Sequence, residues 1–176
     1  MFKLVKLSKE YQKQFEDMME EWSAAGERII PSSIAQHDFH KFDQVAAGFE
    51  AEERGLPGLV PGTTFFGYDT EQDCFVGAVN IRHYLNEGLR LRGGHIGDGV
   101  RPSMRRKGYA TELIRLALEE CRSLVTDGDR VLMVCDRSNV GSAKSIMNNG
   151  GVLENEIDDG GVIKQRYWIA LPVSKQ

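Results

Sequence analysis

Apolar residues recur along this chain at two spacings, and each change of spacing marks an element. Phe2 to Leu7 alternates in part and predicts a first strand. Tyr11, Phe15, Met18, Met19 and Trp22 then follow helical spacing, which predicts a helix over 9–25 opened by Ser8 as a cap. Pro31-Ser32-Ser33 starts a second predicted helix, with Ser33 and Gln36 at capping-box spacing and Phe42, Val45, Ala46 and Phe49 on one face. The Gly/Pro-rich stretch 55–62 interrupts the pattern, but what precedes it is too small to be an independent domain. One domain over 1–176 is expected.

The second part of the chain switches between strand and helix patterns. Thr63–Tyr68 and Cys74–Leu85 suit a hairpin around the turn at 69–73. The polar stretch 86–93 leads to a strand over 94–101, ended by Pro102. Ala110, Leu113, Ile114, Ala117, Leu118 and Cys121 form the clearest helical stripe in the sequence. Val131–Cys135 is a continuous apolar run, expected of a strand buried on both faces. A short helix over 141–149 stops at Gly150-Gly151, and strands 152–157 and 162–171 flank the turn at 158–161. The predicted order is β-α-α-β-β-β-α-β-α-β-β. That is an α/β (α+β) fold with a mixed, largely antiparallel central sheet and helices on both faces.

Composition narrows the function classes. With 41% hydrophobic and 27% charged residues, the chain has the make-up of a globular protein, not of a disordered or fibrous one. The formal net charge of -4 argues against nucleic acid as a partner, since phosphate backbones select basic surfaces. No stretch is apolar and long enough to span a membrane, and the first residues lack a signal-peptide pattern, so a cytoplasmic location is expected. Cys74, Cys121 and Cys135 share no metal or disulfide spacing and are expected to be reduced. His37 and His40 fall at i, i+3 on the second predicted helix, without a third ligand, so no metal is expected.

The candidate chemistry lies in 100–111, between a strand and the strongest helix. A helix start leaves N–H groups unpaired and carries partial positive charge, so a loop curling into it makes an anion cradle. Gly108 removes a side chain from that approach, and Arg105, Arg106 and Lys107 add positive charge. The segment is neither a Walker P-loop nor a dinucleotide fingerprint.

Arg105-Arg106-Lys107-Gly108-Tyr109-Ala110 resembles the [RQ]-x-x-G-x-[GA] motif of the GNAT superfamily of acyl-CoA-dependent N-acyltransferases. Val100-Arg101-Pro102 is similar to the V-x-P that precedes that motif. Asn139 through Gly150 resembles the second family motif, an asparagine leading a short helix that closes at glycine. The resemblance implies an N-acetyltransferase that moves an acetyl group from acetyl-CoA, its co-substrate, to a primary amine by direct attack. The implied acceptor is a small molecule or a peptide, and a homodimer stays open as the assembly. It implies pyrophosphate on Arg105, Arg106, Lys107, Gly108, Tyr109, Ala110 and Thr111, and pantetheine in a splay between strands ending near Val100 and Cys135. The Val100 N–H would then donate to the thioester oxygen, and Asn139 would add a polar contact.

Direct attack needs a neutral amine, so a base or a water path is expected. The candidates are His95 and Asp98, with His83 behind them. Strand alternation puts His95 and Asp98 on opposite faces, but strands of this family often carry a bulge, so parity leaves both open. Many family members place a tyrosine acid where this chain has Ile146. Tyr167 is the one candidate substitute, although a packed strand aromatic is the better reading of it. Asp38, Glu50, Glu52, Glu53, Asp158 and Asp159 form a candidate acidic rim for a cationic amine. Two other readings compete. One is a non-catalytic acyl-CoA sensor, which Ile146 keeps open. The other is an anion or nucleic-acid module using Arg101, Arg105, Arg106 and Lys107.

Overall fold

In the computed structural model, which describes residues 1–173, the chain runs β1 (Phe2–Val5), α1 (Gln12–Ala24), α2 (Ser32–Ala35), α3 (Phe42–Arg54), β2 (Gly62–Asp69) and β3 (Cys74–Arg82). It continues through β4 (Ile96–Val100), α4 (Tyr109–Leu124), β5 (Arg130–Asp136), α5 (Val140–Asn148), β6 (Val152–Asp159) and β7 (Val162–Ala170). Short 3-10 turns precede α1 and α4. The strands form a four-stranded sheet, β1-β2-β3-β4, and a three-stranded sheet, β5-β7-β6, with every pair antiparallel. The two sheets meet at one isolated bridge, between Gly94 and Met133.

Strand alternation decides where the helices sit. Phe66, Phe75 and Ala78 face one side of the first sheet and pack with Phe15, Met18, Met19 and Trp22 of α1, Ile34 of α2, and Phe42, Val45 and Phe49 of α3. Phe65, Val79, Ile81 and Ile96 face the other side. There they pack with the apolar stripe of α4, with Ala143 and Ile146 of α5, and with Val131, Met133 and Cys135 of β5. Leu113, Ile114, Ala117 and Cys121 are fully buried, each large side chain contributing about 1.5–3 kcal/mol. The second core ties α4 to both sheets.

A pair of glycines seats the first turns of α4. Gly67 and Gly77 lie opposite each other in the β2–β3 register. A Cβ on Gly67 would stand 2.6 Å from Leu113 Cδ2, and one on Gly77 would stand 3.1 Å from Leu113 Cδ1 and 2.2 Å from the carbonyl oxygen of Gly99. The bare backbone therefore lets α4 and β4 close on β3 together.

Several element boundaries differ from the sequence reading. Ser8 makes no side-chain cap, and residues 9–11 form a 3-10 turn before α1. The second predicted helix is two helices. Asp38 Oδ1 accepts the His40 N–H at 3.1 Å, a local turn that competes with helix continuation. Ser33 accepts a hydrogen bond from Thr64 Oγ1 instead of capping, and Pro31 takes the N-cap position. His37 and His40 thus lie in a connection, not on a helix; among the described residues no group of three or more ligand side chains is placed to hold a metal. β3 ends at Arg82 because His83 turns to other partners, its N–H to Pro61 O at 2.9 Å and its carbonyl to Thr126 N at 2.8 Å. β4 starts at Ile96 because Gly94, at φ +68°, bends the chain onto β5. Cys121 and Cys135 are buried and Cys74 is half-buried. No helix among the described residues is long and apolar enough to cross a membrane.

Gly77→Ala should lower the unfolding free energy by about 2–3 kcal/mol, because the new methyl meets backbone that cannot yield. Urea titration monitored by tryptophan fluorescence measures this loss.

Candidate active site

β4 and β5 touch once and then separate. The His95 N–H donates to Leu132 O at 2.7 Å, and the Leu132 N–H donates to His95 Nδ1 at 2.9 Å. Nδ1 therefore carries no proton, so Nε2 carries it and donates to Asp127 Oδ1 at 2.9 Å. His95 is 1% exposed, and it lines neither of the two cavities described below. Burial pushes the His95 pKa down, with Asp127 opposing the shift. With both ring nitrogens engaged, His95 pins the two sheets and has no lone pair open to a substrate.

Beyond the pin, the edge of β4 is free. Arg101 N–H donates to Val76 O at 2.8 Å, and amides alternate in direction along an antiparallel pair. Gly97 and Gly99 therefore pair with β3, while Asp98 and Val100 turn their amides toward the gap. One contact agrees with this parity: Val100 O accepts from Arg105 Nε at 3.1 Å. The paired stretch Ile96–Val100 keeps an uninterrupted register with β3, so Asp98 stays on the face of Ile96 and Val100.

The gap opens into a cavity of about 480 Å³ lined by Asp98, Gly99, Val100, the loop residues Met104 to Ala110 except Lys107, and the start of α5. Asp98 is half-buried there, and desolvation pushes its pKa up to about 6. Gly108, at φ +83°, sits at the N-cap of α4 in the left-handed region that a glycine occupies without strain. A Cβ there would meet no protein atom within 4 Å, so within the protein itself the glycine is needed for its backbone conformation. Arg106 is also left-handed, at φ +60°. Left-handed residues close together turn successive N–H groups inward beside the open start of α4, which makes an anion-binding concavity.

The three loop cations differ. Arg105 forks onto Glu27, with Nη1–Oε1 at 2.9 Å and Nη2–Oε2 at 2.6 Å, so it clamps the loop to the chain after α1. Arg106 and Lys107 are exposed and have no ion-pair partner among the described residues. Arg101 pairs with Glu21 and donates to Phe75 O. Half of the basic cluster suggested by the sequence is thus already neutralised. Tyr109 turns away, its hydroxyl donating to Asp69 at 2.9 Å and accepting from Gln72. It anchors α4 to the β2–β3 hairpin and leaves its amide to the loop. Ala110 lines the cavity and Thr111 follows on the first turn.

Asn139 caps α5, Oδ1 accepting from Ser142 N at 3.1 Å, and it faces the cavity. Ser142 and Ser145 line the same wall, a contribution the sequence reading did not single out. The signal was the Asn139-x-x-Ser142-x-x-Ser145 spacing on one helix face. Ile146 is 1% exposed in the core. Tyr167 donates to Gln165, and His83 bonds Thr63; neither lines either cavity. The acidic rim does not assemble. Glu53 pairs with Lys6, Asp38 with Lys41, Glu50 with Arg54 and Asp159 with Arg92, while Asp158 caps a turn. Glu52 alone lines a second cavity, of about 270 Å³, on the side of α2 and α3.

A family model described as acetyltransferase (GNAT) domain matches residues 13–152. No curated protein sequence matches the chain. Solved structures share the fold at low identity. The ribosomal-protein-S5-alanine acetyltransferase of Vibrio fischeri superposes with a TM-score of 0.68 at 13% identity, covering 97% of this chain and 93% of that one. Mutant forms of the spermidine/spermine N-acetyltransferase SpeG from Vibrio cholerae give 0.61 at 15%, covering 97% and 95%. The structure of yncA from Salmonella typhimurium with its cofactor acetyl-CoA gives 0.64 at 12%, covering 99% and 96%.

His95→Ala should cost about 2–4 kcal/mol of stability by urea titration, since it leaves the Leu132 amide without its partner. The folded pKa of His95 lies below its ordinary 6.5, so the unfolded chain binds the proton more readily. The advantage of wild type over His95→Ala is therefore expected to shrink as pH falls below 6.5. Asp98 has the opposite sign. Its folded pKa is raised, so its charge costs stability above pH 4, and Asp98→Asn should gain about 1–3 kcal/mol at pH 7.5. That gain should vanish by pH 3.

Proposed function

The chain belongs to the GNAT acetyltransferase family, and we propose that it transfers an acetyl group from acetyl-CoA to a primary amine by direct attack. The observation that carries this reading is the unpaired edge of β4 ending at an anion-binding loop, inside one cavity. Acetyl-CoA supplies a thioester carbonyl open to nucleophiles and a thiolate leaving group with a pKa of about 8.5, as for free cysteine.

The residues of the chain divide the work. Backbone N–H groups from Arg106 through Thr111 hold the pyrophosphate, with Arg106 and Lys107 adding charge at the rim. Arg105 holds the loop in shape through Glu27. The outward amides of Asp98 and Val100 pair with the pantetheine arm as an added strand would, and the Val100 N–H polarises the thioester oxygen. Asn139 caps α5 through Oδ1 and offers its Nδ2 to the same arm. Asp98 is the base: its carboxylate faces the gap, and a pKa near 6 leaves it ionised and still basic at neutral pH. His95 acts through the position of β4 and not as a base.

Ile146 supports a second reading, a non-catalytic acyl-CoA sensor, because it leaves the position without an acid. A thiolate of ordinary pKa departs without much acid help, so turnover remains the better reading.

Titration calorimetry with acetyl-CoA and CoA tests the donor site, and micromolar binding is expected. Steady-state assays of CoA release with amines test turnover. Asp98→Asn should lower kcat by about 10²-fold or more. In the wild type, kcat/KM should fall as pH drops through about 6, as the Asp98 carboxylate takes up its proton. Donor binding with no turnover on any amine would favour the sensor.

A further inference from the structure

The cavity of about 270 Å³ on the α2/α3 side holds a charge that the proposed reaction has not used. Arg82 ends β3 and lines that cavity together with Ser32, Ser33, Asn80 and Glu52. A guanidinium has five N–H donors. Both protons of Arg82 Nη1 are engaged, to Gly93 O and Gly94 O at 3.1 Å each. Nε and Nη2 make no hydrogen bond among the described residues, and no carboxylate there pairs with Arg82. Desolvation by itself depresses the Arg82 pKa, with no acid opposing it. Glu52 sits in the same lining, but Oε1 already accepts from Gln36 at 2.8 Å and from His37 at 2.8 Å.

Half-buried cations without a partner are costly, and Nε together with Nη2 presents the planar fork that matches a carboxylate. The fork also lies beside the reacting edge. Gly97 of β4 pairs with Asn80, and a Cβ on Gly97 would stand 3.6 Å from both Nη1 and Nη2 of Arg82. The next residue, Asp98, lines the donor cavity on the other face of the strand. A group held by Arg82 is therefore one strand width from the acyl site.

We propose that the acceptor is a small amine that also carries a carboxylate, and that Arg82 binds that carboxylate side-on while the amine reaches past Gly97 to the β4 edge. This assignment rests on the acyl-transfer reading above. It replaces the cationic acceptor that an acidic rim would select, because five of the six rim acids lie outside this cavity and the sixth, Glu52, is already held through Oε1 by Gln36 and His37, whereas the Arg82 fork has no partner among the described residues. A cavity of about 270 Å³ has room for a whole amino acid.

The test compares free amino acids with their C-terminal amides and with the matching decarboxylated amines, reading kcat/KM from CoA release. Wild type should prefer acid over amide by about 30- to 100-fold, the scale of hydrogen bonds to a charged partner. Arg82→Gln should collapse that ratio to near one. Arg82→Lys, which keeps the charge and loses the fork, should leave a ratio of only a few-fold. Because the ratio is taken within each variant, a general loss of active protein does not mimic the result. Equal rates on acid and amide, spermidine as the best acceptor, or an unchanged ratio in Arg82→Gln would overturn the proposal while leaving acyl transfer intact. Calorimetry of the same protein with acetyl-CoA separates the two failures: no donor binding would sink the acyl-transfer reading itself, and this assignment with it.

Discussion

The grip of His95 on one residue of β5 sets the architecture of the site. Its N–H and its Nδ1 take the carbonyl and the amide of Leu132, and Asp127 fixes the tautomer from behind. Two sheets that share no continuous ladder are joined there, and on the far side of that contact both strands keep one unpaired edge. An exposed edge is ordinarily a liability. Here the α4 loop and the start of α5 wall it in, so it can pair only with something that enters the cavity. Had the pairing continued past Leu132, the amides of Asp98 and Val100 would be satisfied within the protein, with nothing left to offer a ligand.

A second set of contacts joins the donor loop to the helices on the other face. Glu21 accepts the Ser103 N–H at 2.8 Å and pairs with Arg101, and Glu27 forks onto Arg105. The Arg105 guanidinium holds the Glu27 carboxyl below the usual carboxylate range. Glu21 belongs to α1, and Glu27 follows it on the way to Ile30, which lines the donor cavity, and to Ser32 and Ser33, which line the other. The two cavities are thus built from adjoining stretches of one segment and lie on either side of β4. Asp98 and Arg82 present opposite charges across that strand.

Much of the fold is legible in the spacing of apolar residues. The α4 stripe, the apolar run of β5 and the glycine stop after α5 correspond closely to what forms. Local competition defeats the pattern where a polar side chain finds a nearer partner than the one propensity offers. Asp38 folding onto the His40 amide splits one predicted helix, and Gly94 turning left-handed delays β4 by two residues. The loop from Arg105 to Thr111 is legible because a charged run next to a glycine at a helix start has few other uses. The partners of its charges are not legible, since Glu27 and Arg105 are far apart in the chain.

The sequence by itself determined the order of most helices and strands, the glycine at the start of α4 beside a run of cations, and that Ile146 brings no acid. Each of these depends on residues within a few positions of one another, where periodicity and backbone preference act. Only the tertiary structure gave His95 and Asp98 different surroundings and left the Arg82 fork without a carboxylate. His95 and Asp98 are three residues apart and look alike as candidates. What separates them is that Leu132 and Asp127, distant in sequence, close around one ring and leave the other group facing the gap. The unpaired fork of Arg82 likewise depends on three-dimensional distance: Glu53, Asp38, Glu50 and Asp159 pair with other cations, and Glu52, in the same cavity, bonds Gln36 and His37 instead, an outcome that no local pattern encodes.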